Sequence, residues 1–157
     1  MLNTLGHIFF ANLLLVFGAP SIVSPTTLMV TSIAAVITDL DHLAHLRTAL
    51  KTHRFKSETR TMWHELPGLL LAMTVSVAVT FFSAPLGQSL LVGFVSHYFL
   101  DLLTRPTRPF YPLSEKIVFL GLAPRNLKKL TAYDAVITAA FGVILIAGLH
   151  GQGIFSI

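Results

Sequence analysis

The chain has no cysteine among its 157 residues, so disulfides and cysteine-ligated metals are excluded. Charge is also scarce. Only 11% of residues are Asp, Glu, Lys or Arg, against about 25% in an ordinary soluble domain. Hydrophobic residues make up 54%, and the mean hydropathy is +0.73. A shortage of charge spread along the whole chain excludes an ordinary water-soluble fold and predicts a polytopic membrane protein of one domain. No Lys or Arg precedes the first apolar run, which argues against a cleaved secretory signal.

What is present is apolar and segmented. Five runs stand out, at roughly Leu5–Ala19, Pro25–Leu40, Leu66–Ser83, Leu86–Leu103 and Leu130–Leu149. A membrane helix takes about 20 residues. The last three runs fit, and the first two need their polar flanks to complete a crossing. The stretch "YPLSEKIVFLGLAP" between the fourth and fifth runs predicts a short interfacial helix capped by Ser114. The expected fold is all-α: a membrane helical bundle of about five transmembrane helices plus that interfacial helix.

All eleven Lys and Arg fall between runs two and three or between runs four and five. Basic loops stay on the cytoplasmic side. Five spans then place the N-terminus inside and the C-terminus outside, in the inner (plasma) membrane. The net charge of +4 is accounted for by topology and anionic lipid head groups, and no nucleic-acid partner is expected. Helix five is rich in small residues and can pack within the bundle or on a second copy, so the oligomeric state stays open.

The rare polar groups collect on one side. His7 opens run one, "TDLDH" (38–42) closes run two and "WHE" (63–65) opens run three. "VSHYFLD" (95–101) sits in the inner half of run four, with His97 and Asp101 one helical turn apart. Ionisable groups inside a membrane are costly and mark function. Asp39 and His42 are spaced i,i+3, and His97 and Asp101 i,i+4, so each pair shares a helix face. Helix bundles bind metals through such inward His and carboxylate pairs. The candidate ligands are His7, Asp39, Asp41, His42, His64, His97 and Asp101, with Asp41 either a ligand or a partner of one. The ion expected is divalent: zinc first, with manganese or iron as alternatives. A weak repeat adds to this, because both hairpins open on a His (His7, His64) and close on a His and an Asp (Asp39 and His42, His97 and Asp101).

Each residue also has a plainer reading. A single His at a helix end is commonly a cap, and His45, His53 and His150 are assigned to that role. Asp101 can form an i,i+4 ion pair with Arg105. The convergence of so many metal-type residues on one side of four helices favours the metal centre.

"GHIFFAN", "DLDH", Arg60-x-x-x-His64 and "GFVSHYFLDLLT" followed by "YPLS" resemble the YdjM family over residues 6 to about 114. That family comprises inner-membrane proteins regarded as metal-dependent hydrolases and also described as LexA-binding. The resemblance carries over His7, Asp39, Asp41, His42, Arg60, His64, His97, Asp101 and Thr104. Four positions depart from the family pattern: Thr38 replaces a Pro, Thr59 a His, Trp63 a Thr and Glu65 a Ser. What the resemblance implies is a membrane-embedded hydrolase. An ion held by His and Asp lowers the pKa of its water to about 7. Glu65 or Asp41 would then be the base, and Arg60, with Arg105 or Arg108, would hold an anionic group. A site at the inner surface favours an amphiphile such as a phospholipid or lipid phosphate. Two other classes use the same residues: a metal-ion or proton transporter, and a structural protein with a closed, non-catalytic metal site.

Overall fold

A computed structural model describes residues 4–40, 61–124 and 127–154. These form five α-helices and no strand. The helices are α1 (Thr4–Gly18), α2 (Pro25–Ile37), α3 (Leu66–Thr80), α4 (Ala84–Thr104) and α5 (Leu127–Gly151). Each lies within a few residues of one of the five apolar runs. Punctuation in the sequence sets the ends. Ser24 caps α2 reciprocally with Thr27: its Oγ accepts from Thr27 N at 3.2 Å, and its own N–H donates to Thr27 Oγ1 at 2.8 Å. Pro25, Pro67 and Pro85 occupy the first turns of α2, α3 and α4, where a missing N–H costs nothing.

The helices are apolar outside and polar within. Phe17, Phe81, Phe82 and Ile146 are exposed, while Asn12, Thr31, Ser76, Ser89, Ser96 and the histidines of the centre are buried. This inverts the soluble pattern and suits a bundle solvated by hydrocarbon. Small residues let the helices approach closely. At Gly93 an added Cβ would lie 2.6 Å from the Thr31 carbonyl oxygen, so α4 rests on the backbone of α2 there. Thr31 Oγ1 donates to the Ser89 carbonyl at 3.2 Å across the same interface. The side of α1 away from the site packs on α5 through Leu13, Val16, Leu145 and Leu149.

Two helices have the length and hydropathy to cross a membrane, Ala84–Thr104 and Lys129–Gly151. α1, α2 and α3 are apolar but have only 15, 13 and 15 residues. At about 1.5 Å per residue they are roughly 20–22 Å long, short of a hydrocarbon core near 30 Å.

The short interfacial helix expected around Ser114 is not formed. Residues 105–124 make an irregular loop instead. Val118, which would lie inside that helix, spends its N–H and C=O on Thr107 instead. Thr107 and Val118 pair across the loop by two N–H···O bonds of 2.9 and 2.8 Å. Gly121 turns the chain with φ of 74°, and Leu122 N–H bonds back to the Leu103 carbonyl at 3.3 Å.

Candidate metal centre

The centre is assembled from four separate elements, each fixed by local structure. His7 lies in the first turns of α1 and is buried. Asp39 follows the end of α2, its N–H bonded to the Val36 carbonyl at 2.9 Å. His64 ends a 3-10 turn, Met62–His64, capped by the Thr61 hydroxyl. Gly68 is what lets this turn fold onto the start of α3, because a Cβ there would sit 2.6 Å from the Trp63 carbonyl carbon. Leu66 N–H then bonds the Pro109 carbonyl at 3.2 Å and ties the start of α3 to the loop after α4. His97 and Asp101 come from one face of α4.

The side chains converge in two groups that share one residue. His7, His97 and Asp101 form the first, and Asp39, His64 and His97 the second. In each, one nitrogen or oxygen per residue lies within 4.8 Å of the others. His64 Nε2 is 3.2 Å from Asp39 Oδ1, and His7 Nε2 is 3.5 Å from Asp101 Oδ1. His97 Nε2 is 3.8 Å from both Asp39 Oδ1 and Asp101 Oδ2. The His7 and His97 rings stack, with centroids 4.3 Å apart. Donors bonded tetrahedrally to zinc at about 2.0–2.1 Å stand roughly 3.3–3.4 Å from one another, so these separations suit a shared cation.

His97 supplies the strongest test of fit. Its Nδ1 lies 2.6 Å from the Ala35 carbonyl oxygen. A carbonyl only accepts, so Nδ1 carries the proton and Nε2 presents its lone pair. That Nε2 is buried and has no hydrogen-bond partner among the described residues. A buried acceptor turned toward two carboxylates is poorly placed as a core residue and well placed as a ligand. The donor set fits a divalent ion.

The i,i+4 pair of Asp101 and Arg105 is also present, with Nε 3.3 Å from Oδ1. Asp101 therefore serves both readings at once, pairing with Arg105 and facing two histidines. Burial pulls the Arg105 guanidinium below its ordinary pKa, opposed by the carboxylates of Asp39 and Asp134. Asp134 on α5 is buried and escaped the sequence reading. The signal was there: it is the one carboxylate in the fifth apolar run.

Glu65 is fully buried. Its Oε1 accepts from the Arg108 backbone N–H at 3.0 Å, and its Oε2 has no hydrogen-bond partner among the described residues. Its carboxylate stands outside both groups of converging donors. Thr104 is buried at the end of α4, its hydroxyl bonded to the Leu100 carbonyl at 2.8 Å. The Arg108 guanidinium lies over the Tyr111 ring at 4.5 Å. Asp41, His42, His45, His53 and Arg60 lie outside the described residues. His150 is exposed near the end of α5.

The family model for the YdjM inner membrane protein matches residues 1–155. The chain belongs to the YdjM family. No curated protein and no solved structure matches it. Family membership places this bundle among inner-membrane proteins, in agreement with its apolar exterior. The resemblance read from residues 6 to about 114 thus extends over nearly the whole chain. The YdjM motifs divide between the hairpins. The repeat in the sequence pairs the two hairpins, and each converging group draws donors from both, with His97 common to the two.

Proposed function

We propose that this YdjM-family protein is a membrane-embedded, metal-dependent hydrolase acting at the cytoplasmic face on an amphiphilic phosphoester, such as a phospholipid or lipid phosphate. The observation that carries the reading is His97 Nε2, a buried lone pair with no hydrogen-bond partner among the described residues that faces Asp39 and Asp101. His7, Asp39, His64, His97 and Asp101 would hold the ion, with zinc the best match to a His and Asp set without cysteine. When bound, such an ion stabilises charge on a phosphoryl oxygen and lowers the pKa of a water.

The other steps belong to the protein. Glu65 follows His64 directly, and its Oε2 is free to accept the proton of the attacking water while Arg108 N–H anchors Oε1. Arg60 attracts the anionic head group. Asp41 is the alternative base. Ser76 and Ser89 spend their buried hydroxyls within their own helices: Ser76 bonds the Ala72 carbonyl and Ser89 the Pro85 carbonyl. That disfavours a polar transport path through the bundle.

The test presents phospholipids and lipid phosphates in detergent with added Zn²⁺ or Mn²⁺ and follows phosphate or head-group release. Wild type should turn over at least one of them. Glu65→Gln should keep the metal and lose about 10²–10⁴ in rate, because Gln keeps the shape and cannot take the proton. Arg60→Ala should chiefly raise KM. A wild type inactive on the whole panel that moves metal into sealed vesicles would overturn the hydrolase in favour of a transporter.

A further inference from the structure

The two converging groups share His97, whose Nε2 lone pair serves one ion at a time. Ring geometry tells the groups apart. An imidazole binds an ion in the plane of its ring, with the ion about 3.2 Å from the ring centroid, so two imidazoles on one tetrahedral ion have centroids about 5.3 Å apart. The His64 and His97 rings stand 5.6 Å apart at 59°, close to that arrangement. The His7 and His97 rings are stacked, 4.3 Å apart at 25°. Nearly parallel planes offset face to face do not meet near either nitrogen, so an ion lies in the plane of one ring or the other. The His7–Asp101 side also holds a cation already. Arg105 Nε lies 3.3 Å from Asp101 Oδ1, the same oxygen that stands 3.5 Å from His7 Nε2. The Arg105 side chain is only 14% exposed, so little solvent screens its charge from an incoming ion. The other side has room. His64 and His97 line a small cavity with Thr38, large enough for about one water molecule, and neither His7 nor Asp101 lines it. Thr38 Oγ1, next to Asp39 in the chain, is buried with no hydrogen-bond partner among the described residues.

We infer that the ion rests among Asp39, His64 and His97, and that Arg105 is the positioning residue that keeps it from the His7–Asp101 side. The inference rests on the proposed metal centre and is independent of hydrolysis. It divides the five residues of that centre. Three bind the ion, while His7 supports His97 by ring stacking and Asp101 holds Arg105 by the i,i+4 ion pair. Charge is distributed accordingly. Asp101 is spent on the guanidinium and Asp39 on the ion, so no carboxylate is shared by two cations. Three protein donors beside a water-sized space leave room for one further small ligand, which is the arrangement of catalytic rather than structural zinc.

The test uses the whole chain in detergent, stripped of metal and titrated with Co²⁺, whose visible absorption reports affinity and donor set without turnover. His64→Ala should weaken Co²⁺ binding by more than about 100-fold, beyond the roughly 10–100-fold cost of losing a residue that only orients a ligand. His7→Phe keeps a ring against His97 and removes both nitrogens. It should change affinity about tenfold or less and leave the Co²⁺ bands in place, with His7→Ala in reserve should the larger ring not fit. The decisive variant is a rescue, which damage to the fold cannot imitate. In a His64→Ala background, Arg105→Gln opens the His7–Asp101 side, and affinity should recover about tenfold or more with shifted bands. A loss in His7→Phe and His7→Ala as large as that in His64→Ala overturns the seat. No recovery in His64→Ala with Arg105→Gln overturns the part given to Arg105. Wild type that takes up no Co²⁺ overturns the metal centre itself, whereas the predicted order of affinities in a protein that hydrolyses none of the lipids supports the seat and overturns the hydrolase alone.

Discussion

His97 does the most at the scale of single residues. Its Nδ1–H is bound to the α2 backbone, its ring stacks on His7, and its Nε2 belongs to both groups of donors. A nitrogen serves one ion at a time, so the two groups compete for one lone pair. Protons compete for the same donors, and ion binding displaces them. Metal affinity should therefore fall as pH is lowered and recover when it is raised, because acidification protonates the imidazoles and carboxylates that the ion needs. Titration with a chelator of known affinity across a pH series checks the sign; an affinity that is flat or rises toward acid pH would rule out histidine ligation. Much of this centre was legible in the sequence. His7, Asp39, His64, His97 and Asp101 were identified by type, spacing and placement on one side, and the structure brings all five together. The grouping was not legible, because which hairpin faces which depends on packing at Gly93 and Thr31 rather than on spacing. The part of Arg105 was half legible: its pairing with Asp101 follows from i,i+4 spacing, its exposure to Asp134 on α5 does not.

Helices are held in place by backbone contacts at small residues. α4 is the hub, touching α2 at Gly93 and α3 at Gly87 while carrying His97 and Asp101 on the same helix. Gly93→Val should push α4 from α2 and cost on the order of 1–3 kcal/mol. The readouts are a lower melting temperature in detergent and a weaker ion affinity, since Ala35 O would no longer orient His97. An unchanged melting temperature would show that α2 and α4 are not in contact there. The apolar runs located the five helices because hydrocarbon-facing helices leave a continuous signal. They misled at residues 111–124, where a helical spacing of apolar residues was outweighed by the pairing of Thr107 with Val118. Periodicity records which side chains are apolar; it does not record which backbone groups are engaged elsewhere in the chain.

Across the whole molecule, the basic loops predict the orientation, and the three short helices make it worth measuring. With both ends of the bundle crossing as proposed, Glu115 lies inside and Gly151 outside. The chain has no native cysteine, so Glu115→Cys and Gly151→Cys each carry one thiol. An impermeant reagent should label them from opposite sides of the membrane. Labelling from one side would mean that α5 does not cross. Thinner bilayers or locally thinned lipid would accommodate α1 to α3.

The most direct measurement is the metal content of the protein as purified, by elemental analysis of wild type beside His97→Ala and Asp39→Ala. A centre built from these residues predicts a transition metal at about one ion per chain or more in wild type. It predicts sharply lower content in both variants, at unchanged helicity. Wild type without metal after reconstitution in zinc, or full occupancy in both variants, would contradict it.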